Sequence, residues 1–140
     1  MNVVIMGCGR VGSTVAARLS EEGHHVAVID TDAHAFARLP ADFRGRRAVG
    51  SGTDHLLLEE VGIRDADAFI ALASGDNRNL LASQRAKHIF GVATVVTRVK
   101  DPLRSELFEE LGLQTFSPTK IGADLAYGAL FSDAPTGEQA

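Results

Sequence analysis

The sequence predicts an α/β fold, a doubly wound parallel sheet of six strands in the order 3-2-1-4-5-6 with helices on both faces. Three observations predict it. Short apolar, β-branched runs alternate with helical patterns along the chain. A Gly-x-Gly-x-x-Gly pattern at Gly7, Gly9 and Gly12 lies between the first such run and the first helical pattern. An acidic residue, Asp30, ends the second run.

Residues 2–6 form the first expected strand, and residues 11–22 the first helix, with Val11, Val15 and Leu19 at helical spacing and Gly23 at the stop. Strand two covers 26–30, followed by a short helix over 33–39 that Pro40 ends. Strand three, over 47–50, carries the weakest pattern, and a helix over 55–61 stops at Gly62. The remaining expectations are a strand at 69–73, a helix at 77–89, a strand at 94–99 and a helix at 103–111. A sixth strand at 114–117 and a last helix at 120–131 complete the pattern. Residues 1–131 thus read as one domain, and 132–140, with Pro135 and Gly137, as a tail or linker.

A length of 140 residues suits one domain with a real core, and is too short for a nucleotide domain plus a full catalytic domain. The 45% hydrophobic and 23% charged content excludes a disordered or collagen-like chain. A net charge of -4 provides no general attraction to phosphate backbones, so nucleic acid is not an expected partner. One cysteine, Cys8, forms no internal disulfide. No apolar run approaches the roughly 20 residues of a membrane span, and the opening segment lacks a signal peptide's basic flank, so a cytoplasmic location is expected.

Each glycine of the motif has a mechanical task. Gly7 permits a tight turn, Gly9 lets the backbone approach phosphates, and Gly12 lets the helix pack closely on the strand. Free N–H groups and the positive helix end then face an anion. Asp30 stands 18 positions after Gly12, near the spacing at which a carboxylate accepts hydrogen bonds from ribose hydroxyls. The competing reading is a plain β-α turn in which Asp30 caps the loop or the next helix. A carboxylate at 30, with no cation at Thr31 or Asp32, disfavours the 2'-phosphate of NADP and leaves NAD, ATP or ADP. Arg10, inside the glycine loop, is placed either to grip a terminal phosphate in two-pronged fashion or to lie solvated. Cys8 points towards the ligand region in one reading, and in the other is a small buried loop residue.

Together these residues make a Rossmann-type domain that resembles the N-terminal lobe of the RCK (KTN, TrkA N-terminal) family, cytosolic regulators of Trk- and Ktr-type potassium transporters and of some potassium channels. The resemblance runs through Gly7-Cys8-Gly9-Arg10-Val11-Gly12 and through Gly23-His24-His25-Val26 leading to Asp30. It continues at Gly50-Ser51-Gly52-Thr53-Asp54, from Leu58 to Ile63, from Ala73 to Asn79, at Leu111-Gly112 and at Ser117-Pro118. It implies a ligand across the carboxyl ends of the strands, NAD(H) or ATP/ADP, whose state alters the geometry of a dimer or higher ring attached to a potassium-translocating membrane subunit. Carried over by residue, it implies the glycine loop and Arg10 at the phosphates and Asp30, with Thr31, at the ribose. Ser51, Gly52 and Thr53 lie near the adenosine, and Ala73, Ser74 and Gly75 flank the crevice. Arg98 resembles the family's basic residue near the phosphates, with a surface arginine as the alternative. The protein then sits at the inner face of the membrane.

Two departures qualify the likeness. ATP-responsive members carry a glutamate after the proline that ends strand six, whereas Thr119 follows Pro118 here, and a neutral hydroxyl is a poor ligand for a hard cation. No metal site is expected, and the five histidines, His24, His25, His34, His55 and His88, are scattered over different elements. The usual C-terminal lobe is also absent, which leaves either a fragment or a protein working with another subunit. Arg44, Arg46 and Arg47 read as a loop surface, Lys87 and His88 as a solvated helix face, and Asp76 or Asn77 as a helix cap.

Two functions stand against each other: a non-catalytic regulatory domain, and the cofactor domain of an NAD-dependent oxidoreductase. The second needs a proton donor beside the nicotinamide. The Tyr-x-x-x-Lys of short-chain reductases is not supplied by Tyr127, because Phe131 occupies the fourth position after it.

Overall fold

Strands and helices alternate throughout the computed structural model, which describes residues 1–132. In order they are β1 (Asn2–Met6), α1 (Arg10–Glu21), β2 (His25–Asp30), β3 (Arg46–Val49), α2 (His55–Glu60) and β4 (Ala68–Ala71). There follow α3 (Asp76–Gln84), β5 (Thr94–Arg98), α4 (Pro102–Glu110), β6 (Gln114–Phe116) and α5 (Pro118–Leu130). The expected tail over 132–140 lies outside the described residues beyond its first position.

The six strands are parallel, in the order β3-β2-β1-β4-β5-β6, as the sequence pattern predicts. Chain order reverses between β1 and β4, where Met6 lies opposite Ala71 on one side and Ile29 of β2 on the other. The carboxyl ends of three strands therefore end level at the reversal, the place where such sheets open a crevice.

Helices cover both faces, so the central strand is apolar on both sides. Val4 and Met6 face a cluster built around Phe69, Leu58, Ile63 and Phe108. Val3 and Ile5, pointing the other way, pack with Ala16, Val28, Leu39 and Phe43. A buried polar pair joins helix to sheet on the first of these faces: Thr97 Oγ1 donates to Ser83 Oγ at 2.7 Å, with neither residue exposed.

Several elements differ in detail from their sequence pattern. The expected Val11-Val15-Leu19 stripe of α1 is offset, because the fully buried positions are Gly12, Ser13 and Ala16 and Val11 is exposed. Small residues let the helix sit closer to the sheet than an aliphatic stripe permits. The expected helix at 33–39 is a 3-10 turn, Ala33–Arg38, whose start Asp32 caps through His34 N–H. The long helix expected at 77–89 begins one residue earlier and ends in a π-helical segment, Arg85–Ile89. Helix α5 starts at Pro118, capped by Ser117, and buries no residue of its own. Its Leu125, Leu130 and Phe131 are all about 70% exposed or more. Among the described residues no helix is long and apolar enough to cross a membrane.

The Thr97–Ser83 pair carries a measurable cost. Ser83→Ala strands the Thr97 hydroxyl in the core and is expected to destabilise by about 1–3 kcal/mol in denaturant unfolding. Adding Thr97→Val removes the stranded hydroxyl and should recover part of that loss, a non-additivity that a double-mutant cycle reads directly.

Candidate functional site

The turn between β1 and α1 is held by contacts that leave no room for side chains. Gly7 adopts φ +103° and donates its N–H to the Ile29 carbonyl at 2.7 Å. A Cβ there would stand 2.8 Å from the Leu72 carbonyl group beyond β4. A Cβ on Gly12 would overlap the Gly7 carbonyl oxygen. Gly9 is different: a Cβ there meets nothing within 4 Å, so nothing in the chain itself requires glycine at this position. Gly9 is the N-cap of α1 and supplies no capping side chain. The open side of the loop is thus bare backbone at a helix start, a chemistry that suits an anion.

Asp30 locks this loop from below. One carboxylate oxygen accepts the Cys8 N–H and the other the Asp32 N–H, both at 2.8 Å. Each oxygen retains lone-pair capacity for a further donor, and the residue is half-buried at the crevice wall. The capping role weighed from sequence is therefore present, and it coexists with access to a ligand. Cys8 is buried among Ile5, Val28 and Leu72, so its thiol faces the core and not the crevice. Burial, and then the negative charge of Asp30, raise its pKa above the ordinary thiol value, in keeping with the reading of Cys8 as a small buried loop residue.

A cavity of about 120 Å³ lies at the reversal point, lined by Gly7, Asp30, Thr31, Ser51, Gly52 and Ala73, among others. Ser51 and Thr53 hydroxyls bond each other at 2.7 Å, and the Thr53 carbonyl accepts from Arg85 Nη1 at 2.9 Å. Gly52 backs onto Met6, where a Cβ would come within 2.5 Å of its sulfur. A wider cleft of about 610 Å³ opens at the opposite edge, among the amino ends of β1 and β2, but contains none of the glycine loop. Shape alone favours that cleft; the placement of the chemistry favours the smaller cavity.

Beyond β4 the wall is built by α3. Asn79, fully buried, accepts the Ala73 N–H at 2.9 Å and donates to the carbonyls of Ala73 and Arg98 at 2.8 and 3.2 Å. Asp76 accepts the N–H groups of Lys100 and Asp101, so it ties down the turn after β5 and is not a cap. Arg98 reaches back across β4 to the Leu72 carbonyl through Nη1 at 3.5 Å, and its Nε is buried with no partner among the described residues. A buried, unpaired guanidinium nitrogen beside the glycine loop is a donor awaiting an acceptor. Arg10 is exposed and makes no side-chain contact among the described residues.

The cavity gathers Gly7, Asp30, Thr31, Ser51, Gly52, Ala73 and Ser74, whereas Gly9 caps and Arg10, Val11 and Gly12 open α1 after the loop, Arg98 ends β5 and reaches back to Leu72, and Thr53 and Gly75 follow the lining residues Gly52 and Ser74 in the chain. Two residues escaped sequence reasoning: Asn79, which orders the rim, and Arg78, which lines the cavity. Both belong to the Gly75-Asp76-Asn77-Arg78-Asn79 run, but nothing in a string of polar residues says which of them turns inward.

Comparisons with known proteins converge on one family. The family model for the TrkA-N domain matches residues 3–118. The Trk system potassium uptake protein TrkA of Streptomyces coelicolor is 48% identical over 124 residues, covering 89% of this chain and 56% of that protein. The chain thus spans little more than half the length of that relative. The TrkA-N domain of the Escherichia coli inner membrane protein ybaL superposes with a TM-score of 0.82 at 17% identity, covering 92% of this chain and 96% of that one. The GsuK channel in its NAD-bound form superposes with a TM-score of 0.70 at 22% identity over 84% of this chain and 21% of the channel. GsuK has also been solved bound to ADP, with a TM-score of 0.72 at 22% identity over 86% of this chain and 32% of that one.

The two α1 glycines are expected to respond differently to substitution. Gly12→Ala forces helix and loop apart and should cost about 3 kcal/mol, the upper range for overpacking. Gly9→Ala should cost about 1 kcal/mol or less, the Gly-to-Ala difference at an N-cap. Chemical denaturation of both variants checks the ordering.

Proposed function

Because the chain belongs to the TrkA-N family, we propose that it is the nucleotide-binding regulatory domain of a potassium transport system and that it performs no catalysis. Residues 1–131 constitute the domain. NAD(H) or ATP/ADP occupies the crevice, and the domain gates a potassium-translocating membrane subunit from the cytoplasmic face.

One observation carries this reading. Among the α-helices, α2, α4 and α5 begin with a side-chain cap from Asp54, Asp101 and Ser117, while α1 and α3, the two that open on the crevice, begin with bare glycines. The uncapped N–H groups and positive end of α1 stand at the glycine loop, a setting for phosphate oxygens, and the uncapped start of α3 follows Ser74 on the facing wall of the crevice. Gly7, Cys8, Gly9, Val11 and Gly12 present that backbone, with Arg10 and Arg98 as the cations. Asp30 and Thr31 take the ribose, Ser51, Gly52 and Thr53 the adenosine side, and Ala73, Ser74 and Gly75 the facing wall.

The oxidoreductase alternative needs a proton donor beside the cavity, and the tyrosine weighed for that role does not stand there. Tyr127 is exposed on α5 and stacks against Phe131 at 4.9 Å between ring centres, away from the cavity. A domain that binds without reacting acts through ligands that favour different arrangements; about 1.4 kcal/mol of differential binding shifts such an equilibrium tenfold. The arrangements belong to a homodimer or higher ring. The apolar residues of α5 that find no cover among the described residues supply its contact.

Calorimetric titration with NAD, NADH, ATP, ADP and AMP, together with potassium uptake in cells lacking the gene, tests the function. Normal uptake combined with NADH turnover on carbonyl substrates would overturn it. Asp30→Ala should weaken nucleotide binding by about 1–3 kcal/mol, and neutral variants of Arg10 and Arg98 should lose more affinity for ATP than for adenosine. Light scattering is expected to show a dimer or larger species at micromolar concentration, with Leu125→Asp and Leu130→Asp shifting it to monomer.

A further inference from the structure

Resting on the nucleotide-binding reading above, we infer that Arg78 forms the base subsite of the crevice, its guanidinium lying flat against the purine ring. Arg78 stands in the first turn of α3, exposed, and lines the same cavity as Asp30, Ser51, Gly52 and Ser74. It has no hydrogen-bond or ion-pair partner among the described residues. The polar groups nearest in sequence are already engaged: Asp76 with the N–H groups of Lys100 and Asp101, and Asn77 with Arg104 at 2.7 Å. The one carboxylate in the lining, Asp30, is engaged by the N–H groups of Cys8 and Asp32, so the Arg78 guanidinium faces whatever fills that cavity.

Its position decides what it meets. Arg10 and Arg98 lie beside the glycine loop and are not part of the cavity lining, whereas Arg78 shares the lining with Asp30. An anionic group held beside the Asp30 carboxylate is repelled, so the cavity suits the uncharged part of a nucleotide. With Asp30 on the ribose hydroxyls, the heterocycle extends towards Ser51 and Ser74 and presents its face to α3. A planar, weakly hydrated guanidinium stacks on such a face, and an ammonium group does so less well. The ligand class is a purine nucleotide, and Arg78 selects for the base.

The test compares Arg78→Ala and Arg78→Lys with the wild-type protein, titrated with AMP and with adenosine. The expected result is a loss of about tenfold for both ligands in Arg78→Ala, a factor equivalent to about 1.4 kcal/mol, with little recovery in Arg78→Lys. A larger loss for AMP than for adenosine, restored by lysine, would mean that Arg78 reads phosphate, and would overturn the inference. So would unchanged affinity for both. If the wild-type protein binds neither ligand, the nucleotide reading itself fails, and this inference falls with it. Arg78 is exposed, so the variants are expected to fold, and their unfolding midpoints verify that the comparison concerns binding.

Discussion

Everything at the carboxyl edge of the sheet depends on how closely the backbone approaches itself around Gly7 and Gly12. Gly7 lies against the Leu72 carbonyl group, and Gly12 against the Gly7 carbonyl. These contacts bring the start of α1 down onto the end of β1 and set β4 directly alongside. A side chain at either position would lift the helix, and the helix N-terminus would no longer point into the crevice. The same closeness explains why α1 buries Gly12, Ser13 and Ala16 in place of larger aliphatic residues.

Asp30 extends that constraint across the sheet. A carboxylate at the end of β2 is costly to desolvate unless its oxygens are satisfied, and here the N–H groups of Cys8 and Asp32 satisfy them. The acid thus orders the loop by itself, and in the function proposed above such preordering lowers the entropic cost of binding. Each oxygen has two acceptor sites and the loop uses one of them, so the structural role leaves room for the ribose contact proposed for this residue.

Helix α3 plays the corresponding part on the far side. Asn79 fastens its first turn to Ala73 and Arg98, and Asp76 fastens it to the turn after β5. Arg85, in the π-helical segment, reaches the Thr53 carbonyl. Helix α3 and the π-helical segment that continues it therefore tie together the segments after β3, β4 and β5 through hydrogen bonds.

The sequence by itself determined the parallel α/β class, the strand count and order, the glycine loop and the acid at Asp30. Those signals are local: two-residue and 3.6-residue periodicities, glycines at a turn, and a fixed interval from Gly12 to Asp30. Tertiary structure decided which side chains face the cavity. Cys8 turned into the core because the loop backbone presents its N–H groups outward and its side chain inward. Asp76 became a clamp for the turn after β5, since Gly75 occupies the cap position one residue before it. Asn79 and Arg78 are neighbours in a polar run, yet one is buried and the other lines the crevice. That division depends on the rotation of α3 against β4 and β5, a property of long-range packing that no local pattern encodes.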